Sequence, residues 1–300
     1  MVNKKNKKNI RTLIHDIYAL IDAGKKKPDK ANVEDFLNVL KEEVLRFLDP
    51  VDRDRRTLRL SAVGKQYRKL WFEVNDPKKE EIEPRLKLLF FYGHIIEALL
   101  LFLAQEAGHK VIDRQKEVKL EGVTGHIDAI IDGVLVDVKS ASDYGFKKFN
   151  EGTLLNDDPF GYIGQMSAYM EALNLKEGAF FAFNKNNAKL TLFEIDELRT
   201  INASERIQHL KKIIKSKKMP ERCYSSLPFG KKGNRILDKN CVFCDYKQEC
   251  WKGANDGEGL RAFKYAQYLR FFTKVVVKPD VEEVFLDEKK DTRKSTFNKS

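Results

Sequence analysis

Gly125-His126-Ile127-Asp128-Ala129-Ile130-Ile131-Asp132-Gly133-Val134-Leu135-Val136-Asp137-Val138-Lys139 is the stretch that decides the fold. Asp132-Gly133, set between two apolar runs, has the chemistry of a two-residue hairpin turn, whose central residues both need positive φ. That turn fixes the register: 131 faces 134, 130 faces 135, 129 faces 136 and 128 faces 137. Asp128 and Asp137 then become cross-strand neighbours roughly 5 Å apart, where like charges repel. A divalent cation between them is the economical reason for keeping both. Lys139, two residues past Asp137, returns to the same face of the strand, and Val138 points the other way. The surrounding Ile, Val, Leu and Ala residues make the hairpin a rigid support for these charges.

Outward from the hairpin, the pattern alternates between the two regular periods. An apolar helix is expected over residues 84–107, with Gly108 as its stop. Strands are expected over 110–120, 125–132 and 134–140, followed by a helix over 161–173. Strands over 179–184 and 189–195 flank Asn184-Lys185-Asn186-Asn187, and a basic helix lies over 202–217. Upstream, Val33, Phe36, Leu37, Leu40, Val44 and Leu48 form a helical stripe after the break Lys25-Lys26-Lys27-Pro28. Residues 61–71 read as another helix, ended by the polar run at 76–81. The order α-β-β-β-α-β predicts an α/β (α+β) fold, a mixed central sheet flanked by helices. The expected division is a helical extension (1–60), a core (61–217), a cysteine-bearing segment packed on it (218–275) and a charged, flexible tail (276–300).

Composition narrows the function. Lys and Arg number 56 against 45 acids, a net charge of +11 that favours a polyanionic partner such as nucleic acid. The strongest apolar run, 95–104, is short and contains Glu97, so no spanning helix and no membrane partner are expected. The N-terminus lacks the apolar region of a signal peptide, which suggests a cytoplasmic protein. All four cysteines, Cys223, Cys241, Cys244 and Cys250, fall late in the chain in the pattern C-x₂-C-x-Y-x₃-C after Cys223. Such clustering suggests metal ligands over disulfides, and its spacing suits tetrahedral Zn²⁺ or a 4Fe-4S cluster alike.

Gly125-His126-Ile127-Asp128 followed by Asp137-Val138-Lys139 resembles the G-h-h-D and D-h-K signature of the PD-(D/E)XK nuclease superfamily, especially its RecB-like exonuclease branch. Gly93-His94-Ile95-Ile96-Glu97 is similar to that branch's G-x-x-x-(H/E) helix, and Gln165-Met166-Ser167-Ala168-Tyr169 to its Q-x-x-x-Y motif. The resemblance implies the restriction-endonuclease-like core and a Mg²⁺- or Mn²⁺-dependent DNA exonuclease acting in end processing, recombination, repair or replication. It implies metal ligation by Glu97, Asp128, Asp137 and the carbonyl of Val138, catalysis with Lys139, and DNA contacts from Gln165 and Tyr169. His94 is open between ligation, core packing and DNA contact. Recombination or replication proteins are possible partners, and a phage origin fits the compact Lys-rich chain.

The cysteine triplet with its internal Tyr resembles the C-terminal cysteines of iron-sulfur nucleases of AddB and CRISPR-associated type. This implies a 4Fe-4S cluster, with Zn²⁺ as the alternative. Those relatives carry a further cysteine in text like G-x-C-P-R-K-L-W. This chain reads Gly64-Lys65-Gln66-Tyr67-Arg68-Lys69-Leu70-Trp71, so Gln66 replaces it and Cys223 is expected as the fourth ligand. Two rival functions remain in view: an endonuclease, and a catalytically silent or structural DNA-binding protein on the same fold.

Overall fold

The computed structural model describes residues 8–24, 27–50, 56–75, 84–216, 218–242, 244–266 and 268–285. The break at Lys25-Lys26, the run 76–81 and the end of the tail lie outside them. The chain divides into two units, one formed by residues 1–66 and 73–217, the other by 67–72 and 218–300.

In the first unit α1 (Leu13–Ala23) and α2 (Lys30–Leu48) precede α3 (Tyr67–Asn75), whose first six residues belong to the second unit. Residues 61–71 are therefore not one helix: a single 3₁₀ turn (Leu60–Ala62) and a bend come before α3. The helix α4 (Pro84–Glu106) starts on a proline, whose fixed φ and missing N–H suit a first turn, and stops before Gly108 at φ 89°. Contrary to the expectation of no long apolar helix, α4 is long and apolar enough, by length and composition, to cross a membrane. It also carries Glu97 and Glu106, and its Ile96, Leu100, Leu101 and Ala104 are buried against the sheet.

The central sheet contains β1 (Val111–Ile112), β4 (Ala129–Ile131), β5 (Val134–Ala141), β6 (Glu177–Asn184) and β7 (Leu190–Asp196), in that spatial order. Only β5 and β6 run parallel; the other neighbours are antiparallel. Between β1 and β4 the chain leaves the sheet to form a separate ribbon of β2 (Glu117–Leu120) and β3 (Val123–His126). The two long strands expected at 110–120 and 125–132 are thus each broken. Asp113 (φ 56°) and Gln115 (φ 51°) turn the first out of the sheet, and Ile127-Asp128 interrupts the second.

The turn Asp132-Gly133 is as expected, with φ of 52° and 91°, and the pairs 131–134, 130–135 and 129–136 form. The ladder ends there, one step short of 128–137.

Two layers of side chains cover the sheet. Val134, Val136 and Val138 pack with Leu13, Ile17 and Leu100, so the N-terminal segment belongs to this core and is no mere extension. On the other face Leu135, Phe180 and Ala182 pack with Met166 and Met170 of α6 (Tyr162–Leu173). Between β5 and α6 lies α5 (Asp143–Asn150), capped by Ser142 and absent from the sequence reading. The basic helix α7 (Ala203–Lys215) starts at Asn202, whose side chain accepts from Glu205 N–H at 2.9 Å. The stripe on α2 is only partly used: Leu37, Val44 and Leu48 are exposed, while Phe36 stacks on Phe102 at 4.8 Å.

The second unit holds a five-stranded sheet of its own, which cysteine spacing did not reveal. Its members are β8 (Leu227–Phe229), β9 (Asn234–Ile236), β10 (Arg261–Tyr265), β11 (Tyr268–Lys274) and β12 (Glu283–Val284). Since β12 pairs with β10, the expected tail is ordered at least to that strand. Two one-turn helices, α8 (Lys239–Val242) and α9 (Lys247–Cys250), lie between β9 and β10. Leu237, Trp251, Ala254, Leu260, Ala262 and Phe271 make this unit's core.

Candidate active site

Strand alternation sends Asp137 and Lys139 to the α6 side of β5, where the Asp137 side chain is 4 % exposed and that of Lys139 18 %. Their charged ends form an ion pair, and Gln165 of α6 donates from Nε2 to Asp137 Oδ1 at 2.9 Å. The Lys139 ammonium also lies 4.9 Å from the centre of the Tyr162 ring, a cation–π contact. Because the ladder stops at Ala129, the Asp128 carboxylate turns back on the sheet, and Oδ2 accepts the Val138 N–H at 2.7 Å. Val138 thus meets the acids through its N–H. On α4, Glu97 receives a hydrogen bond at Oε1 from Gln115 Nε2 at 2.6 Å.

These groups share one field. Burial pushes the Asp128 carboxyl well above the usual range, and repulsion from Glu97 and Asp137 adds to it. Glu97 is raised chiefly by burial, with a smaller push from Asp137 against the pull of His94, Gln115 and Lys139. For Lys139 burial works to lower the pKa, and attraction by Asp137 and Asp128 overcomes it, holding the ammonium charged. Tyr169 is raised by burial and then by Asp137 and Asp128, which keeps its phenol protonated.

The structure therefore brings together Glu97, Asp128, Asp137, Lys139 and Gln165. Tyr169 joins them from the inside. It is 3 % exposed, and its ring fills the space beside Gly125, where an added Cβ would stand 2.8 Å from Tyr169 Cε1 and 2.8 Å from Leu60 Cβ. The glycine that opens the G-h-h-D motif is required by this close approach. The phenol, for which the motif alone implies a DNA contact, is buried here and walls the pocket from within. His94 is half exposed and lies 3.9 Å from Glu43, acting on Glu97 through its charge. Tyr162 and Gln115 were missed. Tyr162 stands three residues before Gln165 on one helix face and was legible by that spacing. Gln115 gave no signal, because its segment reads as plain strand.

The donor set fits an oxygen-seeking dication in chemistry: three carboxylates, two of them with raised pKa values, converge where a cation would relieve their repulsion. As they stand, among the described residues no three His, Cys, Asp or Glu side chains are grouped closely enough to hold an ion. Between α5 and the turn that joins β6 to β7 lies a cleft of about 500 Å³ whose lining includes Lys147, Lys189, Asn150, Asn187 and Tyr18.

In the second unit all four cysteines are reduced and half-buried. Burial raises every one of the thiols, Cys241 to about 12, and the sulfurs act on one another: Cys223, Cys244 and Cys250 all raise Cys241. Cys223 accepts backbone N–H groups of Arg68 and Lys69 at the start of α3, and Cys250 is hydrogen-bonded by the Arg68 side chain. Phe243 lies outside the described residues.

No protein-family model and no curated protein sequence matches the chain. Among solved structures it is similar to SSO0001 (15 % identity, 69 % of this chain and 92 % of that one, TM-score 0.39). It is also similar to the alkaline exonuclease LHK-Exo from Laribacter hongkongensis (13 %, 53 % and 87 %, 0.36), which is also known in complex with dAMP, and to a phage-related exonuclease from Haemophilus somnus 129PT (15 %, 53 % and 90 %, 0.35).

Proposed function

We propose that this protein is a Mg²⁺- or Mn²⁺-dependent deoxyribonuclease of the PD-(D/E)XK type that hydrolyses phosphodiester bonds at DNA ends. The observation that carries the reading is geometric: Asp137 is paired with Lys139 and held by Gln165, and Asp128 accepts the Val138 N–H between them, on the hairpin that bears the motif. Structural acids seldom crowd in this way without a cation to pair them.

Glu97, Asp128 and Asp137 would hold the metal, which when bound supplies a nucleophilic water at neutral pH and charge stabilisation at the phosphate. The chain's own residues do the rest. Gln165 orients the Asp137 carboxylate, and Tyr162 steadies the Lys139 ammonium through its ring. Lys139, held charged beside Asp137 and Asp128, would position the attacking water or neutralise the charge that develops on the phosphate. Tyr169 excludes water from the inner side of the pocket. Lys147 and Lys189 in the cleft beside α5 suit the backbone phosphates of a bound strand, in keeping with the net charge of +11.

In the second unit, we assign the four cysteines to one metal group that fastens α8, α9 and the start of α3 together. Resemblance favours a 4Fe-4S cluster, and Zn²⁺ is the alternative the same thiolates accept. Cys223, seated on the Arg68 and Lys69 amides, would be the fourth ligand in place of the residue that Gln66 replaces. The Arg68 and Arg222 guanidiniums, which pull down the Cys250 thiol, would offset the charge of four thiolates.

Cleavage of 5′- and of 3′-labelled linear DNA, with a closed circle alongside, in Mg²⁺, Mn²⁺ and EDTA tests the reading. Metal-dependent loss of linear DNA with the circle intact is expected. Cut circles would make it an endonuclease, and no cleavage of any substrate would leave the silent DNA-binding alternative.

A further inference from the structure

We propose that Gln115 is a positioning residue that sets the separation of Glu97 from Asp128, a role that rests on the metal-dependent reading above. The two acids come from unrelated elements. Glu97 rides on α4, and Asp128 lies where the chain passes from β3 to β4. No ladder connects them. Gln115 does so with two bonds: its backbone N–H donates to the Asp128 carbonyl at 3.2 Å, and its side-chain amide donates to Glu97 Oε1 at 2.6 Å.

The backbone around it is built to make that reach. Asp113 and Gln115 both hold left-handed φ values, 56° and 51°, which L residues other than Asn and Asp rarely adopt. The loop is closed on either side by Lys116 N–H to Asp113 O at 3.3 Å and Ile127 N–H to Lys116 O at 3.1 Å. A glycine would relieve position 115 at once, yet would carry no amide. Strain kept at a residue whose side chain grips a carboxylate of the site is the usual companion of function.

The chemistry of the donor matters as well. Lys or Arg in this place would hold Glu97 equally well but would cancel the charge that a dication needs. A neutral amide orients the carboxylate and leaves its charge in place, as the second-layer partners of metal ligands generally do.

The test is Mn²⁺ binding by calorimetry to the full-length wild-type, Gln115→Met and Gln115→Gly proteins, with the melting temperature of each metal-free form. Mn²⁺ affinity should fall about tenfold in both variants. The metal-free Gln115→Gly protein should melt at or above the wild-type temperature, because its backbone strain is gone. Wild-type affinity in Gln115→Met would overturn the proposal, since water would then be replacing the amide without loss. Weakened binding with a lowered melting temperature in both variants would also overturn it, by marking Gln115 as a structural brace. A wild-type protein that neither binds Mn²⁺ nor cuts DNA would remove the metal-dependent reading itself, a failure visible in the wild-type measurement alone.

Discussion

The three carboxylates of the first unit, of which Asp128 and Glu97 are raised, and the four mutually raised cysteines of the second are both sets of ligand-type side chains, but they stand on unlike supports. Asp137 sits in an eight-residue strand paired on both edges and packed on both faces. The cysteines sit in two four-residue helices and the loops around them, each side chain half-buried. A helix of one turn has almost no stability of its own. The elements of the first site are placed by the fold alone, although no three of its acids stand close enough to hold an ion as they are, whereas the metal group proposed for the second would fasten together the short pieces that bear its ligands. On that reading, loss of metal should silence one region and loosen the other.

The largest effect expected is on cleavage by Asp128→Asn, which removes a charge and keeps an acceptor for the Val138 N–H. Activity should fall about 10³-fold, several kcal/mol of lost charge stabilisation, while the metal-free protein melts higher as repulsion from Glu97 and Asp137 ends. Asp137→Ala should cost as much activity yet lower the melting temperature, because it leaves the half-buried Lys139 ammonium without its partner. Equal melting shifts in the two variants would break the electrostatic account of the pocket.

Next in size is Cys241→Ser. The purified protein should lose its iron and sulfide, or its zinc, and the second unit should melt at least about 5 °C lower. Hydrogen exchange should quicken across β10 and β11 while β5 stays protected. Unchanged exchange in β10 and β11 would make the cysteines ornaments of a self-sufficient sheet.

A pH series on the chelated protein sharpens the contrast further. In the first unit, folded Asp128 and Glu97 have raised pKa values, so the folded state binds more protons than the unfolded one above the ordinary carboxylate range. Stability there should rise as the pH drops from neutral towards that range. In the second unit Glu283 is held down to about 2 by Arg261 and Lys278. Its contribution is present above the ordinary carboxylate value and is lost as the pH falls from there towards 2. With the intrinsic pH dependence of exchange divided out, β5 should gain protection as the pH falls from neutral to the ordinary carboxylate range and β10 should lose it below that range, and a change of one sign in both windows would overturn the assignment of either set.

The smallest effect belongs to Tyr169→Phe. The ring that needs Gly125 remains, so stability should change by about 1 kcal/mol or less and cleavage only a few-fold. A loss approaching that of Asp128→Asn would return the hydroxyl to the chemistry.

The hairpin, α4, α6 and the β6–β7 pair were legible in the sequence because each carries a clean period and recognised end signals: Asp132-Gly133, Pro84 with Gly108, and the Asn-rich turn at 184–187. Asp137 and Lys139 followed from that register and Glu97 from the resemblance of its helix, whereas the expected ladder pair of Asp128 with Asp137 does not form. Other features were hidden for physical reasons. The departure of the chain at Asp113 and Gln115 uses two non-glycine residues at positive φ, with nothing to announce it. Helix α5 shows only Phe146 and Phe149 on its apolar side and contains Gly145. Residues 261–265 and 268–274 are rich in aromatics but lack a clean alternation of buried and exposed positions, so no strand period marks them.

One consequence of the β2–β3 ribbon concerns how this chain can change length. Its base is fastened by Gln115 N–H to Asp128 O and Ile127 N–H to Lys116 O, and its tip turns through Glu121 and Gly122 at φ 49° and 73°. The same tip is held to α7, where Gln208 and Lys211 donate to Glu121 Oε2 and to its carbonyl. Residues added there would loosen those bonds, while the fastened base stands between the tip and Asp128. A single residue added at Asp132-Gly133 would instead flip one strand of the hairpin over and carry Asp137 and Lys139 to the wrong face. Of these two turns, the ribbon tip is the one at which an added tag or linker leaves the register of the acids untouched.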